Sequence, residues 1–328
     1  MSPASAKRDR SEATDKPRVG LSACLAGEKV RYDGGHKHDR FLTDTLGKFV
    51  EWITVCPEVE CGLPVPRESM HLEGDPEAPR LVTSRTHVDQ TDRMLAWTQR
   101  RVKALEAEDL AGFVFKSGSP SSGMERVKIF DGNGVPRKAA VGLFARAFMD
   151  HFPLLPVEDE GRLHDDLIRE NFIERIFCIK RYRDTVRAAG TRGALVAFHT
   201  AQKLQLMAHS PKIAAEMGKL VAHAKEQRPA ELFAEYERLL VSALNLHATP
   251  GKNANVLMHA LGYFKKDLSP AEKEEMLEVI EDYRRELVPL VVPVTLIRHY
   301  VRKYEQPYLR EQTFLSPHPM ELKLRNHA

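Results

Sequence analysis

Between Arg18 and about Phe152, short apolar runs alternate with stretches of helical spacing, and three of the runs end in turns rich in small, polar or sulfur-bearing residues. "RVGLS" leads into "ACLAG", "ITV" into "CPEVECG", and "AGFVF" through Lys116 into "SGSPSSG". Between and after them, "RFLTDTLGKFVEW", "HVDQTDRMLAWTQRRVKALEAE" and "KAAVGLFARAFMDHF" carry helical periodicity. Strands separated by helices predict a parallel sheet with right-handed crossovers, because parallel neighbours need a long connection. Ligands in such sheets bind beyond the carboxyl ends of the strands. The three turns occupy those ends, so the pattern predicts that they converge on one site.

After "PLLPVEDEGRLHD" the texture changes. From Leu167 to Tyr304 apolar residues recur at helical spacing with few strand signals. "LIRENFIERIFCIKRYRDTV", "ALVAFHTAQKLQLMAH", "PAELFAEYERLLVSALNLH", "NANVLMHALGYF" and "SPAEKEEMLEVIEDYRREL" read as separate helices. The last opens on Ser269, Pro270 and Glu272, the residues of a capping box with proline at the first helical position. The tail "YLREQTFLSPHPMELKLRNHA" is broken by prolines and is expected to wrap back over the bundle. The expected organisation is a disordered polar lead-in over residues 1–17, an α/β parallel-sheet (Rossmann-like) domain over 18–155, and an all-α domain over 163–328.

Composition narrows the function classes. A chain of 328 residues that is 42% hydrophobic and 29% charged can bury a real core in each of two domains. Its net charge of +3 permits an anionic partner without requiring one. The most apolar stretch, Leu287 to Ile297, is shorter than the ~20 residues a bilayer demands and is broken by Pro289 and Pro293, so no membrane span is expected. The polar N-terminus has no apolar signal core, which leads us to expect a cytoplasmic protein. There, four cysteines are metal ligands or nucleophiles more often than disulfides.

Cys24 and Cys56, in two of the strand-end turns, are the best candidates for soft-metal or iron–sulfur ligands. Their spacing is long, and a buried structural cysteine is the alternative at each. Cys61 shares the turn of Cys56, while Cys178 falls on the apolar side of a helix and is expected in the core. Glu58 is either a general acid/base beside a metal site or a capping carboxylate. Ser119 and Ser121 flank Pro120 and either shape the turn or hold substrate. Arg31, Asp33 and a Gly34–Gly35 hinge follow the first turn, and His36 and His38 beyond them read as metal ligands or as a solvated loop. In the helical half, Arg169, Arg175, Lys180, Arg181, Arg183, Arg187 and Arg192 cluster, interspersed with Glu170, Glu174 and Asp184. His199 and Lys203 share a helix face, and Lys252, Lys265 and Lys266 lie near Tyr263 and Phe264. Basic side chains beside aromatics suit RNA backbone contact and base stacking, against the plain alternative of solvated helix faces.

"SACLAGEKVRYDGGHK", "CPEVECGLPVPRE" and "KSGSPSSGMERVKIF" resemble, in order, motifs of the TudS-type thiouracil desulfidases over about Val19 to Phe152. "HTAQKLQLMAHSP", "NVLMHALGYFKKDLS" and "YLREQTFLSPHPMELKLRN" resemble the YbgA-like helical domain, and the fusion is similar to the RudS-type tRNA 4-thiouridine desulfidases. The resemblance implies a non-redox desulfidase that replaces C=S by C=O in 4-thiouridine of tRNA. It also implies a [4Fe–4S] cluster on three cysteines with one iron open to the thiocarbonyl sulfur. Cys24 and Cys56 match the first two ligands, and Glu58 and Ser119 match the acid/base glutamate and the active-site serine. Ser122 stands where the motif, normally SPSCG, has its third cysteine.

Three explanations are open. The serine is an engineered replacement, which needs the fewest assumptions; or Cys61 serves as third ligand; or the cluster has been lost and a binding role kept. As written, the sequence is expected to hold the cluster poorly or not at all. Lys180, Arg181, Arg183, Lys203, Lys252 and Lys265 are the expected RNA contacts, and tRNA and thiolated pyrimidine nucleosides the expected partners. A desulfidase of free thiouracil or thionucleosides, and a cluster-free tRNA-binding protein, are the alternatives.

Overall fold

The structure, a computed structural model, describes residues 16–327, so the expected lead-in lies almost wholly outside the described residues. The first half holds strands β1 (Arg18–Ser22), β2 (Glu51–Val55), β3 (Met70–Asp75), β4 (Ala78–Thr83), β5 (Gly112–Phe115), β6 (Val127–Phe130), β7 (Pro136–Ala140) and β8 (Val157–Asp159). Among them lie helices α1 (Pro57–Glu60), α2 (Thr91–Leu105) and α3 (Leu143–His151). β2, β1, β5 and β8 form a sheet in that order, every pair parallel, with Leu21 opposite both Thr54 and Val114 and Val114 opposite Glu158.

The central strands β1 and β5 are buried on both faces, which is why they read as continuous apolar runs. Alternate residues of β5 serve different cores. Phe113 and Phe115 stack at 4.3 Å between ring centroids and pack with Trp97 of α2 and Phe144 and Phe148 of α3. Val114 faces the other way, into a core with Val19, Leu21, Phe172, Ile173 and Ile176. Gly20 on β1 leaves room for this arrangement, since a Cβ there would lie 2.1 Å from the Phe113 ring.

Four features depart from the sequence reading. "RFLTDTLGKFVEW" is no continuous helix: a wide turn spans Phe41–Thr45, a tighter one Leu46–Lys48, and Trp52 enters β2. The start of "KAAVGLF" is strand β7, and α3 begins only after Gly142, whose backbone is extended. A second sheet, β4-β3-β6-β7, was not anticipated. It is half-solvated, and few of its residues are buried; Leu72, Leu81 and Ile129 are among them. The segment "PLLPVEDEG" contains β8, disguised by Glu158 and Asp159, which are buried and bonded to Arg162.

The remaining chain is helical: α4 (Asp166–Tyr182), α5 (Arg192–His209), α6 (Pro211–Ala222), α7 (Pro229–Leu244), α8 (Pro250–Gly262), α9 (Pro270–Arg284) and α10 (Val291–Lys303). α9 has the expected capping box, with Ser269 and Glu272 satisfying each other's backbone donors. α6 was not foreseen, and α10 starts past Pro289 and takes Pro293 in its first turn, where the missing N–H costs nothing. α4 lies beyond the expected domain boundary yet packs on the parallel sheet, as do Leu322 and Leu324 of the tail, so the two halves share one core. No helix among the described residues is long and apolar enough to cross a membrane.

Candidate active site at the carboxyl edge of the parallel sheet

The three strand-end turns line one cavity of about 410 Å3. Ser22 ends β1 and Cys24 follows it, Cys56, Pro57 and Glu58 follow β2, and the segment from Lys116 to Pro120, with Ser122, follows β5. Neighbouring turns are cross-tied, since the Lys116 amide donates to Ser22 Oγ at 2.9 Å. Gly118 lets the β5 turn reverse, with φ at +66° in the left-handed region.

The turn's position is set from behind by α3. The Phe144 and Ala145 amides donate to the Ser121 carbonyl at 2.9 and 3.1 Å, and the Gly142 amide to Gly123 at 2.8 Å. A Cβ on Gly142 would lie 2.5 Å from the Ser121 carbonyl carbon and oxygen.

Within this frame a chain of hydrogen bonds runs toward the cavity wall. The Ser122 amide donates to Ser119 Oγ at 3.1 Å, Ser119 Oγ lies 3.0 Å from Ser121 Oγ, and Ser121 Oγ donates to Glu58 Oε1 at 2.6 Å. The polarity follows from each partner's chemistry. Ser119 accepts from the amide and gives its proton to Ser121, and Ser121 gives its own to the carboxylate. The other oxygen of Glu58 faces Cys56 Sγ at 3.6 Å and the Arg67 guanidinium at 3.8 Å.

Cys24 and Cys56 are both buried. Burial pushes the Cys24 thiol up to about 11, with Lys116 partly opposing. It pushes Cys56 to about 12, aided by the negative charge of Glu58. In the protein alone both are therefore neutral thiols. Lys116 is tied to Glu160 and to the Ser117 hydroxyl, while Arg31 and Lys37 also line the cavity.

The sequence-predicted residues Cys24, Cys56, Glu58, Ser119 and Ser122 all lie on this cavity. Cys61 does not: it is half-buried against the aromatic core, and its Sγ donates to the Glu58 carbonyl at 3.2 Å. Cys178 is in the helical core with Tyr182 and Tyr236. Sequence reasoning missed the bridging role of Ser121, which is fully buried behind the wall. It also missed Arg67, whose loop position carries no periodic signal.

The expected RNA contacts divide in two. Lys180 pairs with Asp184 at 2.5 Å, and Arg181 is buried with its guanidinium donating to the Pro317 carbonyl at 2.7 Å. Arg183 binds the Asp109 carboxylate and the Asp109 and Leu110 carbonyls, while Lys252 caps the His209 and His247 carbonyls. Arg181, Arg183 and Lys252 tie the fold together internally, because buried or loop-end carbonyls need donors, while Lys180 makes a local pair one helical turn away. Lys203 and Lys265 are exposed. Lys265, with Lys266, borders a surface hollow lined by Tyr263, and Tyr263 stacks on Tyr308 at 4.8 Å.

A [4Fe–4S] cluster carried by three protein thiolates needs three sulfur donors. The cavity supplies two thiols and the Ser122 hydroxyl, a hard, weakly acidic group, so the donor set does not fit that cluster. Among the described residues, the set of three His, Cys, Asp or Glu with ligand atoms within 4.8 Å of one another is Glu170, Glu174 and His318, which is in the helical half and contains no cysteine.

The family described as 2-thiouracil desulfurase matches residues 19–160, and a family described as a protein of unknown function, DUF1722, matches residues 203–319. Uncharacterized protein YbgA of Escherichia coli (strain K12) is 31% identical over 153 residues, which are 46% of this chain and 90% of that protein. Among solved structures, the [4Fe–4S]-dependent thiouracil desulfidase TudS is 30% identical, with 45% of this chain and 94% of that chain covered and a TM-score of 0.38. The chain belongs to the YbgA family, and joins a 2-thiouracil desulfurase domain to a helical domain of the DUF1722 family.

Proposed function

We propose that the protein is a tRNA desulfidase that converts 4-thiouridine to uridine in the cavity beyond β1, β2 and β5. The observation that carries the reading is the hydrogen-bonded chain Ser119–Ser121–Glu58, which delivers a polarised carboxylate to a cavity that also holds two thiols. The reaction adds water across the thiocarbonyl carbon and expels sulfur. Oxygen comes from water, both of its protons leave with sulfur as hydrogen sulfide, and no electrons are exchanged. Glu58 takes the proton of the attacking water, and the serine chain holds the carboxylate in place and carries a proton away from or back to it. Arg31 and Lys37 on the cavity wall suit a substrate with a phosphate backbone.

The Tyr263–Tyr308 stack with Lys265 and Lys266 supports RNA as the carrier of the base, since an exposed aromatic beside cations offers stacking and phosphate contact together. Because α4 and the tail share a core with the sheet, the reading is best tested on the full chain. Thiolated tRNA and free 2-thiouracil are assayed side by side, with and without Lys265→Glu and Lys266→Glu. We expect the double variant to lose at least tenfold of its rate on tRNA and to keep its rate on 2-thiouracil, in keeping with a phosphate-contact role. Equal rates on tRNA in both proteins return the function to free thiolated bases. Turnover of neither substrate, with tRNA still bound, makes the chain a binding protein.

A further inference from the structure

Arg31, Lys37, Arg67 and Lys116 line the cavity at the carboxyl edge of the parallel sheet, and they differ in what their donors already hold. Lys116 is spent: its ammonium donates to the Ser117 carbonyl and hydroxyl at 3.0 Å each, and to Glu160. Arg31 lies over the Tyr32 ring, 5.3 Å from its centroid, and 3.7 Å from Asp33, and Lys37 is exposed. The Arg67 side chain, by contrast, is only 9% exposed, yet its donors are not all used.

Arg67 is clamped at both ends. Its backbone amide donates to the Tyr32 carbonyl at 2.8 Å, and its Nη1 donates to the Val30 carbonyl at 3.0 Å and the Pro64 carbonyl at 3.4 Å. Nε is sealed inside the protein without an acceptor. Nη2 also lacks an acceptor among the described residues, but it is not sealed, and it belongs to a side chain on the cavity wall. Glu58 Oε2 lies 3.8 Å from it, beyond hydrogen-bond reach. A charged donor so far desolvated and left unbonded is costly, and an acceptor that enters the cavity removes the cost. Because the guanidinium is fixed beforehand, little side-chain freedom is lost when it bonds.

An anion is not what this position selects. The Glu58 carboxylate already balances the guanidinium charge and would repel a second negative group beside it. A neutral acceptor meets no such repulsion, and thiolated pyrimidines carry one. In 4-thiouracil and in 2-thiouracil alike, a carbonyl carbon stands one ring nitrogen away from the thiocarbonyl carbon, and the rigid ring fixes where its oxygen points.

We propose that Arg67 reads the oxo group of the thiolated pyrimidine, its Nη2 donating to the carbonyl oxygen and so orienting the ring beside Glu58. The inference rests on the reading of this cavity as a thiolated-pyrimidine site and adds the group that recognises the ring. Its test measures binding, not turnover. The full chain is titrated by calorimetry with 4-thiouracil and with pyrimidine-4-thione, the same ring with hydrogen in place of the oxygen. The parent protein is expected to bind 4-thiouracil about tenfold or more tightly, in keeping with a hydrogen bond from a charged donor. Arg67→Met is expected to bring that preference close to one, even where both rings bind more weakly, because only a contact with the oxygen couples the two changes. Should the variant fold poorly, 2-thiouracil against pyrimidine-2-thione repeats the comparison in the parent, with the same preference expected. Equal binding of the two rings of either pair, or a preference that survives Arg67→Met, overturns the proposal by itself and leaves Arg67 a tether for Val30. Binding of none of these rings overturns it together with the pyrimidine reading.

Discussion

Ser121 and Ser122 are adjacent and chemically alike, yet the fold gives them opposite tasks. Ser121 is fully buried and spans from Ser119 to Glu58, so its hydroxyl sets the carboxylate's orientation. Ser121→Ala is expected to lower kcat on the order of 10- to 100-fold with little change in KM, and Glu58→Gln on the order of 100- to 10,000-fold, in line with general acid–base contributions. Steady-state kinetics on 2-thiouracil checks both, and equal activity in Ser121→Ala removes the serine chain from the mechanism. Ser122 lines the cavity where only a thiolate would complete a three-sulfur donor set. Ser122→Cys, purified without oxygen, is expected to raise bound iron and acid-labile sulfide well above the parent protein. If the parent already carries a full complement, Cys61 must turn inward from its contact with the Glu58 carbonyl, and Cys61→Ala would then lose it.

At the scale of elements, the active-site geometry depends on how α3 meets the β5 turn. Gly142 is the contact point, and its extended backbone both starts the helix and lets the Ser121 carbonyl approach. The atoms that a Cβ would strike are backbone, which cannot swing aside. Gly142→Ala is therefore expected to destabilise by about 1–3 kcal/mol, the usual range for overpacking. It should also reduce desulfidation by more than that loss of fold explains, because the displaced turn carries Ser119, Ser121 and Ser122. Urea denaturation and activity measured on the same sample separate the two effects. The alternation of runs made the parallel sheet and the convergence of its turns legible. It could not show the second sheet, whose short strands expose most of their side chains, nor β8, where buried acids imitate a loop.

Across the whole molecule, the helical half and the sheet are tied by α4 and by the last residues of the tail. Arg325 in that tail reaches back to Glu170 and Glu174 of α4, with His318 buried beside them. Burial, reinforced by Arg325, pushes the His318 imidazole down to about 4. The sign is fixed by linkage: between about 6.5 and 4 the unfolded chain holds more protons than the folded one, so stability falls as pH falls through that window. Glu174 works in the same direction at lower pH. Although burial opposes its charge, Arg325 and His209 hold its carboxyl below the ordinary range, and their stabilisation is lost as that carboxyl is protonated. From pH 7 to 4.5, His318 alone is expected to cost about 2–3 kcal/mol. Glu170 works against this, because burial and the Glu174 charge raise its carboxyl to about 8 and it adds stability as pH falls. His318→Gln should therefore be less destabilised by acid than the parent in equilibrium unfolding across that range, and identical pH profiles would assign the acid sensitivity to other groups.

The sequence by itself determined the two textures of the chain, the parallel order of the first sheet and the turns that meet at its edge. Those follow from apolar periodicity and turn chemistry, which are local. Only the tertiary structure decided which polar residues are available for chemistry. Lys180, Arg181, Arg183 and Lys252 look as free in the sequence as Lys203 and Lys265, but folding spends Arg181, Arg183 and Lys252 on carbonyls distant along the chain, and Lys180 pairs with Asp184 one helical turn away. Likewise, nothing in the spacing of Ser121 and Glu58, or of Gln205, Glu174 and Arg325, announces that they touch. Hydrogen-bond partners distant along the chain are set by packing, and packing has no period that a sequence displays.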